Sequence, residues 1–195
     1  MTADAFVALS VRARAAVVSY LDAHPLRLGI ASDELQRRLR MDEQPFSAAL
    51  ERWSAEGTLQ RRGAMIALPG YAPKLTVRQQ RAVDEYLAGL RARSYAPPTD
   101  APVDGELLSY LEDAAKVVAV GDGVVFAAEA YREMVERVTD HLRRNGSITL
   151  AQTRDMFATT RKYAQAFLEH LDRTHLTRRV GDERVRRAAP GSPSL

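Results

Sequence analysis

Apolar and polar positions alternate along the chain with two different periods. Ala164, Phe167, Leu168 and Leu171 fall at i, i+3, i+4 and i+7, one stripe of an amphipathic helix that starts near Arg161. "RRV" and "ERV" then flank Gly181-Asp182, two short strand-like runs joined by a two-residue turn. Upstream, a helix is expected from about Ala128 to Arg144. Asn145-Gly146 ends it, because glycine suits the left-handed position after a helix. "SITL" reads as a short strand. Thr149 followed by Gln152 makes a capping box that opens a second helix.

The same plan recurs. Leu108, Leu111, Val120, Gly121, Asp122 and Val125 stand 60 residues before Leu168, Leu171, Val180, Gly181, Asp182 and Val185. A fainter first copy supplies Leu50, Trp53 and Gly63. Three helices closed by a β-hairpin describe a winged helix. The sequence therefore predicts a mainly α chain with small β-hairpins, an α+β class, built as tandem winged-helix domains. They are placed at 1–73, 74–127 and 128–188, with joints at "PGYAPK" and near Ala127-Ala128. Pro97 and Pro98 leave little room for a second helix in the middle copy, so that copy is degenerate. Residues 189–195 have the composition of a disordered tail.

Composition narrows the function. Hydrophobic content is 46% and charged content 27%, ordinary for a soluble globular protein. No apolar run approaches the ~18 residues needed to span a bilayer, and the N-terminus lacks the pattern of a secretory signal. Cysteine is absent, which excludes disulfides, thiol catalysis and zinc–thiolate sites and fits a cytoplasmic chain. His24, His141, His170 and His175 show no ligand spacing, and the carboxylate pairs Asp42-Glu43 and Glu112-Asp113 read as solvated surface. No cofactor and no enzymatic site are expected.

Charge is placed unevenly. The net charge is only +3, yet Tyr131 to Ala188 holds 13 basic against 8 acidic residues. The remainder holds 15 against 17. Such asymmetry points to a polyanionic partner at the basic end. Arg161 and Lys162 open the third helix, where free backbone N–H groups and the positive dipole end gather, and Thr159 or Thr160 can cap. Gln165 lies opposite the apolar stripe, and Tyr163 can stack on an unpaired base or pack at the helix flank. Pairing the hairpin across Gly181-Asp182 sets Arg179 opposite Arg184 and Thr177 opposite Arg186, on a face read as phosphate-binding. Leu176, Val180, Val185 and Arg178 take the other face. The middle hairpin has no arginine and the first only Arg61 and Arg62, so folding alone does not demand the cluster. The candidate RNA-binding residues are Thr160, Arg161, Lys162, Tyr163, Gln165, Arg178, Arg179, Arg184 and Arg186. On this reading, the segment Ala128 to Ala188 carries most of the affinity.

"TRKYA", "LEHLDR", "LTRRVGDERV" and, upstream, "ITLAQTRDMF" resemble the C-terminal end of the bacterial selenocysteine-specific translation elongation factor family, over about Ser147 to Arg187. A looser resemblance runs back through "LPGYAPKLTVRQQ" and "HPLRLGIASDELQRRL". It implies a chain of winged helices whose last member binds an mRNA hairpin that recodes a UGA stop codon to selenocysteine. Ribosome contact through Arg61 and Arg62, and a GTPase half in cis or in trans, would be the other partners. His175 stands where glycine is expected after the helix. No G-x-x-x-x-G-K-[ST] occurs, so the GTPase half of the family is not in this chain, which looks like a C-terminal fragment or a separately encoded piece. Two rival readings are a winged-helix DNA-binding transcriptional regulator, which needs the outer face of the third helix to read bases, and a protein-interaction array.

Overall fold

The structure, a computed structural model, describes residues 2–100 and 103–187. The tail expected at 189–195 lies outside the described residues. The chain divides into two compact units. One gathers the chain up to Gln80 with Asp104–Ala114, the other Arg81–Val103 with the chain from Ala115 onward.

In the first unit, α1 (Ala3–Ala23) precedes β1 (Ile30–Ala31), α2 (Ser32–Leu39), α3 (Glu43–Ala55) and a hairpin of β2 (Gln60–Arg62) and β3 (Met65–Ala67). The strands form an antiparallel sheet in the order β1-β3-β2. This is a winged helix. Its core is built around Trp53, fully buried beside Phe46 and Phe6. The indole N–H donates to Ser10 Oγ at 2.8 Å, so the buried ring keeps its polar group bonded. Gly29 is required where β1 meets β3, since a Cβ there would lie 2.6 Å from the Ile66 carbonyl oxygen.

The middle stretch contributes α4 (Val77–Ala92), α5 (Gly105–Asp113), β4 (Val117–Gly121) and β5 (Val124–Ala127). Among the described residues, no helix or strand separates α4 from α5, as Pro97 and Pro98 foretold. Helix α5 belongs to the first unit, where Asp113 accepts two hydrogen bonds from Arg27, at 2.7 and 3.0 Å. The β4–β5 turn differs from the one expected. Gly121 pairs with Val124, and Asp122 and Gly123 form the loop, both with positive φ (52° and 69°) as a type I′ turn needs.

The second unit repeats the first pattern with α6 (Ala128–Asn145), β6 (Ser147–Thr149), α7 (Leu150–Met156), α8 (Arg161–Arg173), β7 (Thr177–Val180) and β8 (Glu183–Arg186). Its strand order, β6-β8-β7, is that of the first unit. The Thr149–Gln152 capping box forms in both directions. Val180 pairs with Glu183 across Gly181-Asp182, and Gly181 takes the positive φ of 59° that opens a type II′ turn. The core does not stop at Ala128. Val120, Val124 and Phe126 of the β4–β5 hairpin are buried together with Met134, Phe157, Phe167 and Leu171. A segment starting at Ala128 would lack the Val120, Val124 and Phe126 part of that core.

Helix α8 ends in a Schellman motif. Leu176 N–H donates to the Leu171 carbonyl at 3.0 Å and His175 N–H to that of Asp172 at 3.1 Å, with His175 at φ 61°. Gly57 takes the same place after α3, at φ 69°. A non-glycine residue pays about 1–2 kcal/mol for this conformation, offset in part by the greater freedom of glycine in the unfolded chain. His175→Gly is therefore expected to stabilise the second unit by about 0.5–1 kcal/mol, and Gly57→Ala to destabilise the first by a similar amount. Thermal melting of the two variants checks both signs.

Candidate nucleic-acid interface

Helix α8 is held by its apolar stripe. Ala164, Phe167, Leu168 and Leu171 are all buried, and the Phe167 ring meets Phe126, Tyr131 and Phe157 edge-on at 5.9 to 6.5 Å. This anchoring leaves Arg161 and Lys162 exposed on the first turn. Thr160 is the N-cap residue, but its side chain makes no capping hydrogen bond. Thr159 does not cap either; its hydroxyl donates to the Tyr95 carbonyl. The first-turn N–H groups are thus left without a side-chain acceptor at the N-cap.

The hairpin has the expected register, with Arg179 opposite Arg184, Thr177 opposite Arg186 and Arg178 opposite Val185. Its faces are not as expected. Thr177 and Arg184 are buried, and Val180 is 46% exposed. The reason is Asp172, in the last turn of α8. Its Oδ1 accepts from the Thr177 hydroxyl at 2.6 Å, and its Oδ2 accepts from Arg184 Nε at 3.4 Å. Arg184 and Arg179 therefore do not confront each other as two free surface charges. Arg184 is drawn inward by a carboxylate, while Arg179 stays exposed, its Nε donating to the Gly181 carbonyl.

A cleft of about 400 Å³ opens between these elements. Arg154 of α7, Arg161 of α8, Arg179 of β7 and Arg184 of β8 all line it, with Thr149 at one side and Asp182 at the lip. Among the described residues Arg161 has no ion-pair partner, and Arg154 is paired only with its neighbour Asp155. Four guanidinium groups around one concavity, against one lining carboxylate, suit an anion with several oxygens, because each guanidinium offers a fork of N–H donors.

Of the nine candidate residues, Arg161, Arg179 and Arg184 share this cleft. Lys162 stands beside it on α8, its ammonium bonded to the Thr99 hydroxyl at 3.1 Å and 5.8 Å from the centre of the Tyr163 ring. Tyr163 is half-buried against the core, so its ring supports Lys162 rather than standing free for a base. Gln165 donates to Glu169 at 2.9 Å. Thr160, Arg178 and Arg186 are exposed and do not line the cleft. Arg154 and Thr99 were not among the candidates. Arg154 lies in the quoted "ITLAQTRDMF", one helix before the cluster; Thr99 carries no sequence signal.

The first unit is an internal control. Shifting by 118 residues superposes Leu50 on Leu168, Trp53 on Leu171 and Gly63 on Gly181. The same shift places Gln36 at Arg154, Glu43 at Arg161, Arg61 at Arg179 and Ile66 at Arg184. The cleft at that place in the first unit is lined by Gln36, Glu43, Glu51 and Arg61, and it is not basic. Asp172, partly buried, and the buried Thr177 and Arg184 correspond to Ser54, Leu59 and Ile66, of which Leu59 and Ile66 are fully buried.

The fold and the cleft define a tandem winged-helix protein with an arginine-lined cleft on its last domain. Two family models, each described as elongation factor SelB, winged helix, match residues 14–68 and 140–186, together just over half the chain. The chain belongs to the SelB elongation-factor winged-helix family. Among solved structures it is similar to the mRNA-binding domain of elongation factor SelB from E. coli in complex with SECIS RNA. That likeness has 22% identity and a TM-score of 0.44, over 58% of this chain and all of that one. It is also similar to a bacterial selenocysteine-specific elongation factor, EF-Sec, with 14% identity and a TM-score of 0.47, over 94% of this chain and 30% of that one. The chain thus spans under a third of that factor's length. No curated protein matches it. Among the described residues, no helix is long and apolar enough to cross a membrane.

Arg184→Ala would strand Asp172 and the Thr177 hydroxyl beneath the sheet. It is expected to cost about 2–3 kcal/mol, since a largely buried charge loses its partner. Arg179→Ala, on the exposed strand, should stay within about 0.5 kcal/mol of the parent. Denaturant titration of both variants measures the contrast.

Proposed function

We propose that the chain is the RNA-binding module of a selenocysteine-specific elongation factor. On this reading the last winged helix holds an mRNA hairpin of the selenocysteine-insertion type during UGA recoding in the cytoplasm. The GTPase half of the factor is its partner in cis or in trans, and Arg61 and Arg62 are available to the ribosome. The observation that carries the reading is the cleft shared by Arg154, Arg161, Arg179 and Arg184. It occurs in the last domain of a family whose name is that of a translation factor, and the equivalent cleft in the first domain lacks it.

Arg161 and Arg179 are exposed at the two sides of the cleft and reach a phosphate from the helix and from the wing. Arg184 forms its floor, fixed by Asp172, so one guanidinium is already oriented before RNA arrives. Phosphate contacts of this kind set register and orientation, and unpaired bases of a hairpin loop or bulge would supply the sequence. Reading of duplex DNA would instead use the outer face of α8, where Gln165 and Glu169 are bonded to each other and the charge is confined to one end.

Titration of the whole chain with a bulged RNA hairpin, a scrambled hairpin and duplex DNA tests the proposal. Three or four phosphate contacts predict a log–log salt slope of about −2 to −4, with the hairpin bound more tightly than the duplex. A variant that copies the first domain separates binding from folding: Asp172→Ser with Thr177→Leu and Arg184→Ile. Replacing a buried ion pair by apolar groups is often neutral for stability, so this chain should fold and bind RNA less tightly. Equal affinity for duplex DNA, or unchanged RNA binding by the triple variant, would overturn the reading.

A further inference from the structure

The start of α8 meets a segment from outside the last winged helix. Two hydrogen bonds tie the start of α8 to Tyr95–Thr99, a segment that lies before α5 in the chain. The Thr159 hydroxyl donates to the Tyr95 carbonyl, and Lys162 Nζ donates to Thr99 Oγ1 at 3.1 Å. The segment is firmly seated at one end. The Tyr95 ring packs into the core of this unit, 5.2 Å from Phe157. Between Tyr95 and Thr99 stand Pro97 and Pro98, whose rings fix φ and stiffen the path. Thr99 is therefore carried to the side of α8 on a short, rigid arm.

Lys162 is one of the exposed cations on the first turn, and a lysine side chain is ordinarily free to sample many rotamers. Here it is restrained from two sides, by the Thr99 oxygen and by the face of Tyr163. Among the described residues no carboxylate pairs with it. An ammonium has three donors, and Thr99 occupies one, so two remain for an anion. The Thr99 oxygen accepts from Lys162, which leaves its own O–H to donate in turn.

We propose that Thr99 is a positioning residue of the RNA interface: it holds the Lys162 ammonium in place, and the ammonium grips one phosphate. The proposal rests on the RNA-binding reading above. It makes the interface composite, with one wall supplied by the segment that precedes α5 and the rest by the last winged helix. The middle stretch is then part of the site, beyond its use as a spacer. A threonine on a proline-stiffened arm does not lose the side-chain freedom that a lone lysine would lose on binding.

The test uses the whole chain and the bulged hairpin. Thr99→Val keeps the shape and removes the hydroxyl. Releasing one side chain from a preset position should weaken binding about 2- to 10-fold and flatten the salt slope by about 0.7–0.9, one phosphate contact. Thr99→Ser should restore both, and melting without RNA should be the same for all three chains. Because Thr99 acts through Lys162, Thr99→Val added to Lys162→Ala should weaken binding no further than Lys162→Ala alone. Normal affinity and slope in Thr99→Val, or additive losses in the double variant, would overturn the proposal while leaving the RNA reading intact. A parent chain that shows no salt-dependent preference for the hairpin would overturn both.

Discussion

Everything at the candidate site depends on how Phe167 is buried. Its ring sits among Phe126 of β5, Tyr131 of α6 and Phe157 at the end of α7, each meeting it edge-on. Edge-to-face contacts fix orientation as well as distance. With that ring held, the first turn of α8 brings Arg161 to the cleft that Arg179 and Arg184 of the wing also line. Two of the three partners belong to elements the third repeat shares with the first, but Phe126 comes from the middle hairpin. Helix α8 is thus oriented partly by a stretch of chain that does not line the basic cleft.

A second constraint is the exchange of an apolar slot for an ionic one. In the first domain Ile30 pairs with Ile66 in the sheet and both are fully buried. In the last, Ile148 pairs with Arg184 at the same point. Seating a guanidinium there demands a carboxylate and a hydroxyl within reach, and Asp172 and Thr177 supply them. Such a pair adds little stability relative to an isoleucine. Its effect is to place one fixed charge at the floor of a cleft whose other cations lie on the surface.

Much of this could be read from the chain, because the third repeat is strongly patterned. The stripe on α8, the capping box at Thr149 and the register across Gly181-Asp182 all follow from spacing that has a single good solution. The inward turn of Arg184 was not read, because an alternating strand assigns charged residues to the outside by default. The signal was present in the comparison of copies: Ser54, Leu59 and Ile66 change together to Asp172, Thr177 and Arg184. A concerted change of three residues, two of them fully buried in the first copy, marks the Asp172–Arg184 ion pair. The turn of the middle hairpin slipped by one residue because Gly123 has no counterpart in the last copy. Thr99 was invisible, since its meeting with Lys162 spans 63 residues and no local pattern encodes it.

The cleft is lined by arginine without a single lysine. A guanidinium keeps its charge at any pH a cell reaches, and it is not a substrate for acetyl transfer to an amine. The protein has only three lysines, and Lys162 alone lies at this face. Acetylation could therefore neutralise the restrained ammonium at the rim while the four charges of the cleft stayed whole. Such a chain would have a grip that one class of modification can trim but not abolish.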